Sequence, residues 1–362
     1  MEPLITYSLS DIRHMKVHGR TTGRREPLTL FWTGSGIELN ARGSELWLEV
    51  EASYEHYEPW IAVVINGVPV SRMMLTAGRY WVCVFRGMNR EVLKNVRIVR
   101  ETQAMSSDLK CSLHVHAVKF DGHFVPVPDK PYRIEFIGDS ITSGEGAIGA
   151  TAEEDWIPMW FSAVDNYTAM TSHALNADYR VVSQSGWGVR TSWDNNPSFN
   201  IPDYYEQVCG LMTGDYHASL GAHEPYDFDS WQPDIVVVNL GTNDGSACRN
   251  EDGTYDREAV SKFERSAERF LHQLRSNNKH AHIVWAYGML GTPMLPAIRR
   301  AVTAYCKESG DRRVTVFDLP DMTQETVGAR SHPGRLAHEQ AAATLADNLR
   351  AILDDLPKNK PQ

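Results

Sequence analysis

Residues 125–144 read Val-Pro-Val-Pro-Asp-Lys-Pro-Tyr-Arg-Ile-Glu-Phe-Ile-Gly-Asp-Ser-Ile-Thr-Ser-Gly, and the fold turns on this stretch. Pro126, Pro128 and Pro131 fix φ and lack an N–H, so 126–132 reads as an extended linker that continues neither a helix nor a central strand. The apolar run 133–137 that follows reads as a buried strand, and Gly138-Asp139-Ser140 closes it with a turn. The chain changes rhythm across this point. It is expected to hold a β domain over 1–125, the linker over 126–132 and an α/β domain over 133–357.

Upstream, Leu46-Trp47-Leu48-Glu49-Val50-Glu51 alternates apolar and polar side chains, which is the pattern of a half-buried strand. Asn66-Gly67 separates two β-rich runs over 61–70, and both residues accept the positive φ of a tight hairpin turn. Further runs at 80–85, 92–99 and 111–120 come at similar spacing with no long helical pattern between them. This arrangement predicts a β-sandwich or jelly roll.

Downstream, strands predicted at 133–137, 179–183, 234–240, 282–287 and 314–317 alternate with amphipathic segments. The clearest places Val260, Phe263, Ala267, Phe270, Leu271 and Leu274 at helical spacing, and a last helix over about 335–353 carries Leu345, Leu349 and Ile352 on one face. Continuous apolar strands alternating with helices predict a parallel sheet covered on both faces, a three-layer α/β/α domain. Active sites in such sheets lie beyond the carboxyl ends of the strands.

Composition excludes several functions. Lys and Arg number 36 against 46 Asp and Glu, a net charge of −10, so the chain lacks the basic excess that nucleic acids or anionic membranes require. No run of about 18 apolar residues predicts a membrane span. Met1-Glu2-Pro3-Leu4-Ile5-Thr6 has neither a basic n-region nor an apolar h-region, and the five cysteines are scattered and odd in number. These features read as a cytoplasmic protein with reduced thiols.

Four residues sit where such a sheet places its chemistry. Ser140, on a glycine-flanked turn after the first strand, can present its hydroxyl to the cleft, with a following helix to offer N–H groups; it or Asp139 can equally be a helix cap. Gly186, in Ser185-Gly186-Trp187-Gly188, lets a backbone N–H approach a ligand, or simply makes a turn. Asn243, in Gly241-Thr242-Asn243-Asp244, can donate its side-chain amide to an oxyanion, or belong to an Asx turn. His332, in Ser331-His332-Pro333-Gly334, can act as a neutral base just before the final helix. The pairs His114-Val115-His116 and His280-Ala281-His282 have no third ligand at zinc spacing, so neither metal nor cofactor is expected.

Taken in this order, the four blocks resemble those of the SGNH, or GDSL-type, hydrolases over about residues 132–355. The whole chain is more specifically similar to carbohydrate esterase family 2, in which a jelly roll precedes an SGNH domain; Trp32-Thr33-Gly34-Ser35-Gly36, the Asn66-Gly67 hairpin and Trp231-Gln232-Pro233-Asp234 fit that layout. The resemblance implies a serine esterase that removes O-acetyl groups from xylo- or manno-saccharides. Ser140 would be the nucleophile and His332 the base, with Ser140, Gly186 and Asn243 forming the oxyanion hole. Many SGNH enzymes carry an aspartate three residues before the histidine, where this chain has Ala329. A Ser–His dyad with a main-chain carbonyl orienting the ring is therefore expected, in preference to a carboxylate from Asp321 or Glu325. Asp139 and Asp244 are expected to accept loop N–H groups.

Trp187, beside the oxyanion glycine, is the candidate sugar platform, with Trp156, Trp160 and Trp193 behind it. The partner implied is an acetylated oligosaccharide. The N-terminal domain could bind glycan or wall the cleft, and oligomeric state is left open.

Overall fold

The structure is a computed structural model that describes residues 3–355. The outermost residues of the two expected domains, 1–2 and 356–357, lie outside the described residues. The chain divides into two units: unit 1 holds Met1–Asp129, Trp156–Val164 and Tyr204–Tyr226, and unit 2 holds Lys130–Asp155, Asp165–Asp203 and Asp227–Gln362.

Unit 1 is antiparallel β. Its strands are β1 (Ile5–Ser8), β2 (Lys16–His18), β3 (Leu28–Thr29), β4 (Gly36–Arg42), β5 (Glu45–Ser53), β6 (Trp60–Ile65), β7 (Val68–Met74), β8 (Gly78–Arg86), β9 (Lys94–Arg100), β10 (Ser112–Phe120) and β11 (His123–Val125). One sheet runs β1-β10-β5-β8 with β3 on β10, and the other runs β11-β4-β9-β6-β7 with β2 on β4. The period-2 pattern sends Leu46, Leu48 and Val50 of β5 inward, where they meet Ile37 and Leu39 of β4 and Ile61 and Val63 of β6 in one shared core. Asn66 (φ 52) and Gly67 (φ 80) make the tight turn between β6 and β7.

The chain first leaves unit 1 between Asp129 and Lys130, inside the proline-rich stretch. The expected second domain, 133–357, is not contiguous, because two of its segments fold with unit 1. Their anchors are polar and buried. The N–H groups of Ala163 and Val164 donate to Glu101, a fully buried carboxyl whose burial pushes it up to about 7. The Trp32 indole N–H donates to the Val208 carbonyl at 2.7 Å, and the Arg20 guanidinium lies 4.4 Å from the ring centres of both Tyr205 and Tyr226.

Unit 2 carries a five-stranded parallel sheet of β12 (Tyr132–Gly138), β13 (Ala177–Ser183), β14 (Ile235–Asn239), β15 (His282–Gly288) and β16 (Val314–Leu319), in the order β13-β12-β14-β15-β16. The α-helices among the described residues are α1 (Ser140–Ser143), α2 (Tyr167–Ala174), α3 (Gly214–Ser219, in unit 1), α4 (Thr242–Ala247), α5 (Arg257–Asn277), α6 (Leu295–Ser309) and α7 (Arg335–Asp354). Phe136, Val181, Val237 and Val284 pack with α2 and with Leu345 and Leu349 of α7. The alternate residues Val236, Val238, Ile283 and Trp285 are equally buried, which is why these strands read as unbroken apolar runs. The sheet order reverses at β12, and Gly138 is level with Ser183 on one side and Asn239 on the other. The chain therefore leaves three adjacent strands together at the topological switch point, where such sheets bind ligands.

Candidate active site

The turn after β12 is built around close approach. A methyl on Gly138 would lie 1.9 Å from Thr142 Oγ1, so only glycine lets the chain fold back into the single-turn helix α1. Asp139 caps that helix by accepting the Ile141 N–H at 3.1 Å, and Gly144 (φ 82) ends it. Ser140 is the first residue of α1 and 6% exposed.

The histidine arrives from the loop between β16 and α7. His332 Nε2 lies 2.9 Å from Ser140 Oγ, and its Nδ1 lies 2.6 Å from the Arg330 carbonyl oxygen. A carbonyl only accepts, so Nδ1 carries the proton and Nε2 keeps its lone pair toward the serine. The orienting group is the main-chain carbonyl expected for a chain with Ala329. Of the two alternative carboxylates, Asp321 accepts the Gly291 N–H at 2.8 Å and Glu325 is exposed. Arg330 (φ 59) and Ser331 (φ 52) both adopt the left-handed region, which turns the Arg330 carbonyl back onto the ring. The loop is braced from the nucleophile side: the Ala329 N–H donates to Gly146 O at 3.1 Å, and the Arg330 N–H to Glu153 O at 2.7 Å. A methyl on Gly146 (φ 71) would lie 2.1 Å from the Ala329 carbonyl oxygen and 2.7 Å from His332 Cβ.

Sequence reasoning missed Glu145. Its carboxylate is buried, 3.5 Å from Arg330 Nε and 4.0 Å from His332 Nε2. The signal for it was the run Gly144-Glu145-Gly146, an acid set between two glycines immediately after the nucleophile turn.

The remaining blocks meet the same turn. Asn243 Nδ2 donates to the Trp187 carbonyl at 2.9 Å and to Asp139 Oδ2 at 3.3 Å, so its amide spans the loop after β13 and the nucleophile turn. Gly186 (φ 79) holds the bend of that loop, where the Trp193 N–H donates to its carbonyl at 2.9 Å. Asp244 accepts the N–H groups of Val189 and Arg190, both at 2.8 Å, and Gly188 is the residue that makes room, since a methyl there would lie 2.2 Å from Asp244 Oδ2. Asp139 and Asp244 are thus acceptors of N–H groups. Burial pushes Asp139 up to about 7 and Asp244 up to about 6, against the pull of those same N–H donors. His338 of α7 is buried behind the site, and burial together with His332 pushes it down to about 3, so it stays neutral.

Trp187 is a correction. Its ring is 7% exposed and stacks on Phe199 at 5.2 Å, which leaves it packed and not open as a platform. Trp193 is 63% exposed instead, with its ring edge 3.0 Å from where a Gly186 methyl would stand. Trp156 packs edge-on against Tyr57 and Phe161, and Trp160 is half-buried, both within unit 1. His114 bonds Thr29 Oγ1 at 2.9 Å, His116 pairs with Glu51 at 2.7 Å, and His282 lies 3.2 Å from Thr315 Oγ1, so these rings have protein partners.

The sequence profile of the GDSL-like lipase/acylhydrolase family matches residues 136–340. An acetyl xylan esterase structure from the rumen bacterium Butyrivibrio proteoclasticus is 44% identical, with a TM-score of 0.95 over 97% of this chain and 99% of that one. An acetylxylan esterase/glucomannan deacetylase from Cellvibrio japonicus is 27% identical over 94% of this chain and 89% of its own length. A cellulase/esterase from Acetivibrio thermocellus is 28% identical over 88% of this chain, which spans 37% of the length of that protein.

Proposed function

The chain belongs to the GDSL-like lipase/acylhydrolase family, and from that premise we propose that it is a serine esterase that removes O-acetyl groups from xylo- or manno-oligosaccharides. One observation carries the reading: His332 Nε2 faces Ser140 Oγ at 2.9 Å while the Arg330 carbonyl fixes the opposite nitrogen. A nucleophile, a base of defined tautomer and an orienting group are together what acyl transfer needs.

In the first half-reaction the Ser140 hydroxyl proton passes to His332 Nε2 as Oγ bonds to the acetyl carbonyl carbon. The oxyanion is received by the N–H groups of Ser140 and Gly186, and by the Asn243 amide once the N–H it gives to Asp139 at 3.3 Å swings over to the substrate, each such donor contributing roughly 3–4 kcal/mol in the transition state. The carbon–oxygen bond to the sugar then breaks, and His332 returns the proton to the departing sugar oxygen. Water, deprotonated by His332, then attacks the acetyl-serine, and His332 returns that proton to Oγ as the acyl carbon–oxygen bond breaks, which frees acetate and restores Ser140. The chemistry uses no metal or cofactor. Trp193, exposed beside Gly186, is the platform on which a sugar ring would lie.

The two β sheets sharing one core support reading unit 1 as a jelly roll, and burial of both faces of the parallel sheet supports a three-layer α/β/α unit 2. Five free thiols support a reducing, cytoplasmic location, which cell fractionation tests. The function is tested by acetate release from acetylated xylo- and manno-oligosaccharides. Wild type should release acetate and Ser140→Ala should not. Equal release by both proteins, or none by wild type, overturns the reading.

A further inference from the structure

The main-chain carbonyl of Arg330 solves only half of the problem set by Ala329. In a Ser–His–Asp triad the aspartate both orients the imidazole and lies close to the positive charge the ring takes on when it accepts the serine proton. A carbonyl dipole orients the ring as well as a carboxylate but brings no net charge. A negative charge is nonetheless within reach, from a different element. Glu145, from the loop after α1, has a side chain 4% exposed, and its carboxylate lies 4.0 Å from His332 Nε2. On its other side stands Arg330 Nε at 3.5 Å. Arg330 is in turn held by its Nη1 bond to the Glu154 carbonyl at 2.6 Å.

We propose that Glu145 is a positioning residue of this site, its carboxylate steadying the imidazolium of His332 while the Arg330 carbonyl sets the orientation of the ring. The two tasks that one aspartate would perform are thereby divided between a side chain from the nucleophile loop and a carbonyl of the histidine loop. Among the described residues, the charged and titratable groups on the elements that meet the ring include Glu145 from the nucleophile side, Arg330 from its own loop, His338 from α7, Asp139 one residue from Ser140, and Glu154, whose carboxylate accepts the Ser331 hydroxyl at 2.8 Å. Of these, His338 stays neutral and Asp139 is engaged with the Ile141 N–H and the Asn243 amide. Glu145 and Arg330 are left as the pair with opposite effects on the ring.

The inference rests on His332 being the base, and its test is chosen to read the ring directly. The His332 titration is followed by NMR in wild type, Glu145→Gln and Arg330→Gln, with kcat and KM on nitrophenyl acetate measured alongside. Glu145→Gln should move the His332 midpoint down by about one pH unit and lower kcat about tenfold with KM little changed. Arg330→Gln keeps the orienting carbonyl and should move the midpoint up. A purely structural ion pair would give loss of activity in both variants with the midpoint unmoved, or moved in the same direction, and either result overturns the proposal. Shifts of opposite sign in a protein that releases no acetate from any ester would leave the role of Glu145 standing and sink the esterase reading.

Discussion

Asp139 stands one residue before the nucleophile, and its fully buried carboxyl is raised from an ordinary 3.8 to about 7 by burial first, with Asp244 and Glu145 adding to it. A raised carboxyl favours the neutral form in the folded protein. Its contribution to stability is therefore complete below the unfolded value near 3.8 and is lost as pH rises through about 7. Thermal melts between pH 4 and 8 should show Asp139→Asn flattening the decline of stability with pH, a difference of roughly 2–4 kcal/mol across that window. Parallel melting profiles would contradict this account of Asp139. At the same scale, Ser140 and Asn243 were legible because each follows a strand end with a glycine two positions before it, and His332 because Pro333 and Gly334 lead from it into the last helix. Glu145 was not, since its setting between Gly144 and Gly146 marks a loop position but not the histidine nearly two hundred positions away that comes within 4.0 Å. The choice between Trp187 and Trp193 was equally hidden. It depends on Phe199 folding back to stack on one ring and leaving the other open.

Among elements, the helix α5 shows how much pattern alone conveys. Phe263, Ala267, Phe270, Leu271 and Leu274 are all buried as their spacing requires, while Val260, at the first turn, is half-exposed. Its start is set by Asp256, whose side chain accepts the Ala259 N–H at 2.7 Å. Asp256→Ala should cost about 1 kcal/mol in denaturant unfolding and leave kcat unchanged, because the cap serves the helix and not the dyad. A loss of activity without loss of stability would contradict that separation. The strands were legible in the same way. The five apolar runs of the second half became β12 to β16 with ends shifted by a residue or two, and Asn66-Gly67 became the β6–β7 turn. Sheet order was not legible from period, because burial on both faces makes β12, β14 and β15 alike in composition. It is the order β13-β12-β14 that brings the serine turn, the Gly186 loop and the Asn243 turn to one edge.

For the whole molecule, antiparallel sheets precede the proline-rich stretch and the parallel sheet follows it, and the chain first passes from unit 1 to unit 2 at Asp129 and Lys130. The segments Trp156–Val164 and Tyr204–Tyr226 escaped, because their attachment to unit 1 rests on scattered polar anchors such as Glu101, Arg20 and Trp32, and not on any periodic pattern. The dyad lies in unit 2, and in the proposed mechanism Ser140 carries the acyl group between two half-reactions. The most direct test is peptide mass spectrometry after rapid acid quench during turnover of an acetylated oligosaccharide. Wild type should carry an acetyl group on the peptide containing Ser140, and Ser140→Ala and His332→Ala should carry none. An unmodified Ser140 peptide in an enzyme that is releasing acetate, or acetate release by Ser140→Ala, would contradict it.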